Sequence, residues 1–186
     1  MDGIVKLFIE GTLTHQERGE ILFTEYGISG ICVFQISRYA VRAIAEGKKV
    51  ECFLDLMPDL TLVELQKKLE LRKQRCPYKS LPEQLVGLIP KKMISIVVPS
   101  KATISQVCTN LKEWKLPVKD AYSLKQAQVC SGGVDVRSLT EQLESKKCPG
   151  IYFTGEIIDV DGPCGGYNLQ WAWSSGAVAG KDAAKE

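Results

Sequence analysis

Glu156, Asp159 and Asp161 stand a few residues ahead of a glycine pair, Gly165 and Gly166, near the end of the 186-residue chain. The stretch that holds them, GIYFTGEIIDVDGPCGGYNLQWAWSSGAVAG, runs from Gly150 to Gly180. It reads as an apolar strand, an acidic turn, a double glycine and a helix, the order in which a nucleotide-cofactor site is finished. Ile151, Tyr152 and Phe153 predict a buried strand of the parallel-sheet kind. Gly155 then allows close backbone approach, and Glu156 falls at the strand's carboxyl end. Ligands of open α/β sheets lie there, and an acid can accept hydrogen bonds from sugar or ribityl hydroxyls. The helix offers its first N–H groups from Gly166, Tyr167 and Asn168. Their partial positive charge is worth about 0.3–1 kcal/mol toward an anion at an exposed site. Ala172, Gly176 and Gly180 follow at i, i+4 and i+8, a flat face suited to close packing. Close approach offsets the roughly 1 kcal/mol that each helical glycine costs relative to alanine. Taken alone, the segment is equally a last strand and helix whose glycines serve turns and packing.

Other chemistry is thinly spread. The single histidine, His15, lies in what reads as a polar loop through Arg18 and is expected to be solvated. Seven cysteines include no CxxC pair, so no metal site is expected. Cys32, Cys52 and Cys130 sit among apolar residues and read as buried thiols, while Cys148 and Cys164 flank the cofactor-like segment. Trp171 and Trp173 are two apart and must face different sides of their helix. Lys67, Lys68, Arg72, Lys73, Arg75 and Lys79 form a basic run, either a nucleic-acid footprint or a solvated helix face. The Glu64 to Lys68 spacing favours the solvated face, and no aromatic interleaves before Tyr78. With a net charge of only +2, no nucleic-acid partner is expected. No signal peptide and no apolar run near 20 residues occurs, which predicts a cytoplasmic chain without a membrane partner. No side chain stands out as a catalytic acid or base.

The elements that must position these residues follow from periodicity. Ile4 to Ile9 predict a strand covered on both faces, and Ile21 to Thr24 a second strand bent at Gly27 and Gly30. Ile36, Tyr39 or Ala40, Ala43 and Ile44 recur at helical spacing with Gly47 as the stop. Val50, Cys52, Leu54 and Leu56 line one strand face up to Pro58. Thr61–Glu64 and Ser80–Glu83 are capping boxes. Leu62, Leu65 and Leu69 form one helical face, as do Ile104, Val107, Leu111 and Trp114. MISIVV at 93–98 is ambiguous between strand and helix. AQVCSGGVD predicts a strand ending in a double glycine, and Ser138 with Glu141 a helical turn.

Three blocks resemble the bacterial NAD(P)/FAD-dependent flavoprotein family that includes aminoacetone oxidase. GEILFTEYGISG resembles that family's GE-x-LFTH-x-G-x-SGP, and AQVCSGGVD resembles its A-x-VT-x-GGV. ESKKCPG, continuing into the stretch first quoted, follows the terminal block nearly throughout, so the resemblance covers essentially the whole chain. Glu25 stands where the family has histidine, Ile31 where it has proline and Cys130 where it has threonine. No G-x-G-x-x-G turn, which in the family holds the FAD pyrophosphate, occurs in the chain.

The resemblance implies a mixed α+β and α/β fold. Residues 1–57 and 117–133 would be a β-rich middle domain and 58–116 a helical insertion. Residues 134–186 would be the returning strand and helix of an FAD-binding Rossmann-type domain whose N-terminal part is absent. It implies FAD near Gly155, Glu156, Asp159, Gly165, Gly166, Tyr167 and Asn168, NAD(P)H as a further cofactor, and hydride transfer with a small-molecule substrate. Without the glycine-rich turn the chain is expected not to hold flavin alone, and to self-associate or meet a missing N-terminal half. The alternative is a truncated, non-enzymatic binding module.

Overall fold

The computed structural model describes residues 1–121, 125 and 127–185. They form two compact units, Met1–Asp120 and Ala121–Glu186.

The first unit starts with strands β1 (Asp2–Ile9) and β2 (Thr12–Glu20), an antiparallel hairpin with Ile9 opposite Thr12. Glu10 and Gly11 turn it, both at positive φ, the backbone that matches strand twist. Val5 and Leu7 are buried while Lys6 and Phe8 are half-buried. β1 is therefore fully covered on one face rather than the expected two. The stretch through His15 and Arg18, expected as a loop, is the strand β2. It lies at the sheet edge, where a polar strand facing water avoids unwanted pairing. His15 is half-buried rather than solvated, its ring stacked on Tyr39 at 3.5 Å.

A short hairpin, β3 (Leu22–Thr24) and β4 (Gly27–Ser29), leads into helix α1 (Ile31–Ala45). Gly30 joins them at φ 113°, and a Cβ there would lie 2.2 Å from the Glu20 carbonyl oxygen. Only glycine fits. α1 buries Cys32, Ile36, Ala40 and Ala43, the spacing read from the sequence. It ends in a Schellman motif, the Gly47 and Lys48 amides donating to the Ile44 and Ala43 carbonyls at 2.9 and 3.0 Å. β5 (Val50–Asp55) then runs antiparallel to β1 with Val50, Cys52 and Leu54 buried.

Helices α2 (Leu62–Arg75), α3 (Leu81–Gln84), α4 (Lys91–Val97) and α5 (Ile104–Lys112) follow. Both predicted capping boxes are present, and Thr103 with Gln106 forms a third. The ambiguous MISIVV run is helical over most of its length and buries Met93, Ile94 and Val97. Trp114, read at helical spacing, instead opens β6 (Trp114–Pro117) opposite Leu54. The sheet order is β2-β1-β5-β6, antiparallel throughout. Sheet and helices share one core, in which Val5, Leu7 and Leu54 join Leu65, Leu69, Val107 and Leu111.

The second unit is built from loops around one long helix, α6 (Tyr167–Ala183). The two strands expected here are reduced to single bridges, Val134 with Ile158 in parallel and Glu144 with Tyr152 antiparallel. Ile151 is 49% exposed, so the apolar run at 151–153 is not a buried strand. The turn expected around Ser138 and Glu141 is a 3-10 turn at Val136–Ser138, opened by Asp135 accepting from the Arg137 amide. A small core gathers Leu139, Leu143, Ile158 and Ala179, with Phe153 and Trp171 packed against it.

Candidate functional site

Gly165, Gly166, Tyr167 and Asn168 come together at the start of α6. Gly166 is the N-cap in the left-handed conformation, no side chain caps the helix, and its first turn holds no acid. A Cβ added at Gly165 or Gly166 would meet nothing within 4 Å, so the approach to the helix end is open. Asn168 does more than lend its backbone. Its Oδ1 accepts from the Gly162 amide at 2.7 Å and its Nδ2 donates to the Gly162 carbonyl at 3.3 Å. The side chain thereby clamps the loop that delivers the chain to the helix. The result is a helix end with partial positive charge, directed donors and unobstructed space, the physical requirement for holding an anionic or electron-rich group.

Gly155 and Glu156 lie elsewhere on the helix. They belong to a 3-10 turn, Gly155–Ile157, held against the middle of α6. The Gly155 amide donates to Ser175 Oγ at 2.9 Å, and its carbonyl accepts from Trp171 Nε1 at 3.1 Å. A Cβ at Gly155 would sit 3.6 Å from that of Ala172. The close approach read from the sequence is thus an approach to α6. Glu156 projects from this turn as an exposed carboxylate.

Asp159 has a different partner. Its Oδ1 accepts from the Gly132 amide at 2.9 Å, and its own amide donates to the Val134 carbonyl at 3.0 Å. Gly133 is forced by this contact, because a Cβ there would lie 2.4 Å from the Ile157 carbonyl oxygen. The AQVCSGGVD block and the acidic turn are therefore one structure, which their separation in the chain conceals.

The remaining candidates separate by burial. Cys32, Cys52 and Cys108 are buried, and burial raises all three thiols, Cys52 to about 12. These are inert packing groups. Cys130, expected to be buried, is exposed, as is Cys148. Among the described residues no group of His, Cys, Asp and Glu could hold a metal ion. Trp171 is half-buried against the small core and Trp173 is 71% exposed. In the first unit a cleft of about 600 Å³ opens between Leu56–Leu60 and Gly87–Pro90, with Lys68 at its rim. Nothing in the sequence reading pointed to it, since its walls are brought together only by the fold.

An open helix start, a glycine-bearing loop and an exposed acid are what these residues present in a mixed α/β chain. Residues 17–182 match the family described as HI0933-like protein Rossmann domain, and the chain belongs to that family of FAD-binding oxidoreductases. It is 37% identical to a 3-dehydro-bile acid delta(4,6)-reductase of Clostridium scindens, over 91% of this chain and 45% of that protein. It is 34% identical to a ribosomal RNA dihydrouridine synthase of Haemophilus influenzae, over 84% of this chain and 40% of the relative. The Escherichia coli protein of the same name is 33% identical over 89% of this chain and 42% of its own length. The chain thus spans less than half the length of these curated relatives. Among the described residues no helix is long and apolar enough to cross a membrane.

Proposed function

We infer that the chain supplies the flavin-ring side of an FAD-dependent reductase that delivers hydride to a conjugated carbon–carbon double bond. The observation that carries this reading is the open, uncapped start of α6 after two left-handed glycines, in a chain of an FAD-binding family. The backbone of Gly166, Tyr167 and Asn168 would face the pyrimidine edge of the isoalloxazine and favour negative charge on the reduced ring. Glu156 would take ribityl hydroxyls, and Asp159 would hold the Gly132 loop beside them. FAD, when bound, accepts hydride from NAD(P)H and passes it on. The names of the relatives supply the reaction class: delta(4,6)-reduction and dihydrouridine formation both saturate a double bond conjugated to a carbonyl. The names divide over the substrate, one a bile acid and two an RNA.

The absence of a G-x-G-x-x-G turn from these 186 residues supports a site whose pyrophosphate half lies outside them. The same absence favours the second reading, a non-enzymatic binding module. Co-expression with the part of the C. scindens relative that this chain does not match separates them. We expect the purified pair to carry oxidised flavin absorption that bleaches with NADH or NADPH. A folded complex that stays colourless after incubation with FAD would leave only the binding module.

A further inference from the structure

We propose that the C-terminal half of α2 and the turn after it form an RNA-contacting surface, with cations for phosphates and Tyr78 as a base-stacking platform. The proposal extends the reductase reading to one of its two substrate classes, the RNA of the two relatives named for ribosomal RNA. The surface itself is read from the fold.

Lys67, Lys68, Lys73, Arg75 and Lys79 are all exposed, and none takes part in a salt bridge among the described residues. Lys68 and Arg75 are seven apart, two turns along one side of the helix, with Lys67 beside them. Arg72, by contrast, is a structural cation, its Nη1 donating to the carbonyls of Gln84 and Val86. Three acids share this stretch: Glu70, which accepts from Gln66 Nε2 at 3.1 Å, and Glu64 and Glu83. Glu64 and Glu83 each close a capping box, and hydrogen bonds from Thr61 and Ser80 hold both below the usual carboxylate range. Both stay ionised and feel the charges of Lys67 and Lys79, but neither forms a salt bridge with them among the described residues.

Beside them the Tyr78 ring is 81% exposed, its hydroxyl donating to Cys76 Sγ at 3.8 Å. A large aromatic held at its polar end and bare on its faces is an uncommon use of surface. Between Arg75 and Lys79 it has the arrangement that binds single-stranded nucleic acid, a cationic track with a ring on which an unpaired base stacks. The sequence reading set the basic run aside because no aromatic interleaves before Tyr78. The fold puts Tyr78 in the turn immediately beyond the helix, exposed like the cations that precede and follow it in the chain.

The test uses the full chain, a uridine-rich single-stranded RNA of about 20 nucleotides and a duplex DNA of the same charge, read by fluorescence anisotropy at several salt concentrations. Tyr78→Ala should weaken RNA binding roughly five- to 150-fold, the range for loss of one stacked base. The combination Lys68→Glu, Arg75→Glu and Lys79→Glu should lower the salt slope by about 2, at roughly 0.7 per single-strand phosphate. All four side chains are exposed, so the far-UV circular dichroism should not change. Unchanged RNA affinity in both variants would overturn the surface, and equal binding of the duplex would overturn its assignment to RNA. No flavin is needed, so the flavin reading can fail while this surface stands, and the reverse.

Discussion

Ser175 is the residue on which the second unit's central contact depends. It is buried in a helix, accepts from the Gly155 amide and donates to the Ala172 carbonyl at 3.0 Å. Removing the hydroxyl would leave a buried backbone N–H without its acceptor, which costs about 1–3 kcal/mol. We therefore expect Ser175→Ala to lower stability by that amount in urea unfolding, with Ser174→Ala as the near-neutral control. An unchanged midpoint would show that the Gly155 amide does not depend on this acceptor. The sequence made Gly155 legible as a glycine that something approaches. It did not say what, because the partner is twenty residues away and the signal on the helix is a single serine among small residues. Asn168 was hidden in the same way, since an asparagine in a first turn gives no sign of which loop it will hold.

At the scale of elements, a buried ion pair joins the end of α5 to the end of β5. Lys112 Nζ pairs with Asp55 Oδ2 at 2.6 Å and also donates to the Met57 and Leu60 carbonyls at 2.9 and 2.6 Å. Asp55 is 5% exposed and accepts from the Met57 amide as well. One cation thus fixes the turn from which α2 departs. Lys112→Met keeps the stem but strands a buried carboxylate, and such a break costs about 3–5 kcal/mol. We expect a fall of that size by denaturant titration, largely rescued when Asp55→Leu is added. No rescue would mean that the lysine acts through its carbonyl bonds. The starts of α2 and α3 were readable because their capping boxes are written within four residues, whereas α4 has no side-chain cap and the Thr103 box was passed over. Strands were less so. The apolar run at 151–153 announces burial without naming a partner, and the described structure offers it one antiparallel bridge rather than a ladder. The polar edge strand β2 failed for the opposite reason: its place is set by β1, and its own side chains carry almost no apolar alternation.

At the scale of the whole molecule, α6 carries an apolar surface that its own unit leaves uncovered. Leu169 is 62% exposed and Trp173 71%, and Gly176 and Gly180 continue that side with open space around them. Side chains at 169, 173, 176 and 180 recur on one helical face, the pattern of a contact surface rather than a solvated one. The small residues let another backbone come close. We expect light scattering of the isolated chain to give a mass above the 20.6 kDa of one copy, and Trp173→Glu to bring it back to that value. A monodisperse monomer for the unaltered chain would rule out an exposed contact face.

The pairing of Leu54 with Trp114 means that the backbone leaves the sheet and re-enters it at neighbouring positions. Everything between is an excursion with a closed mouth. Its length, charge and helix count can therefore change over evolutionary time without shifting the register of a single strand, in the way a side room can be rebuilt behind one doorway. Related chains that act on different molecules are free to differ there first, while the sheet keeps its register.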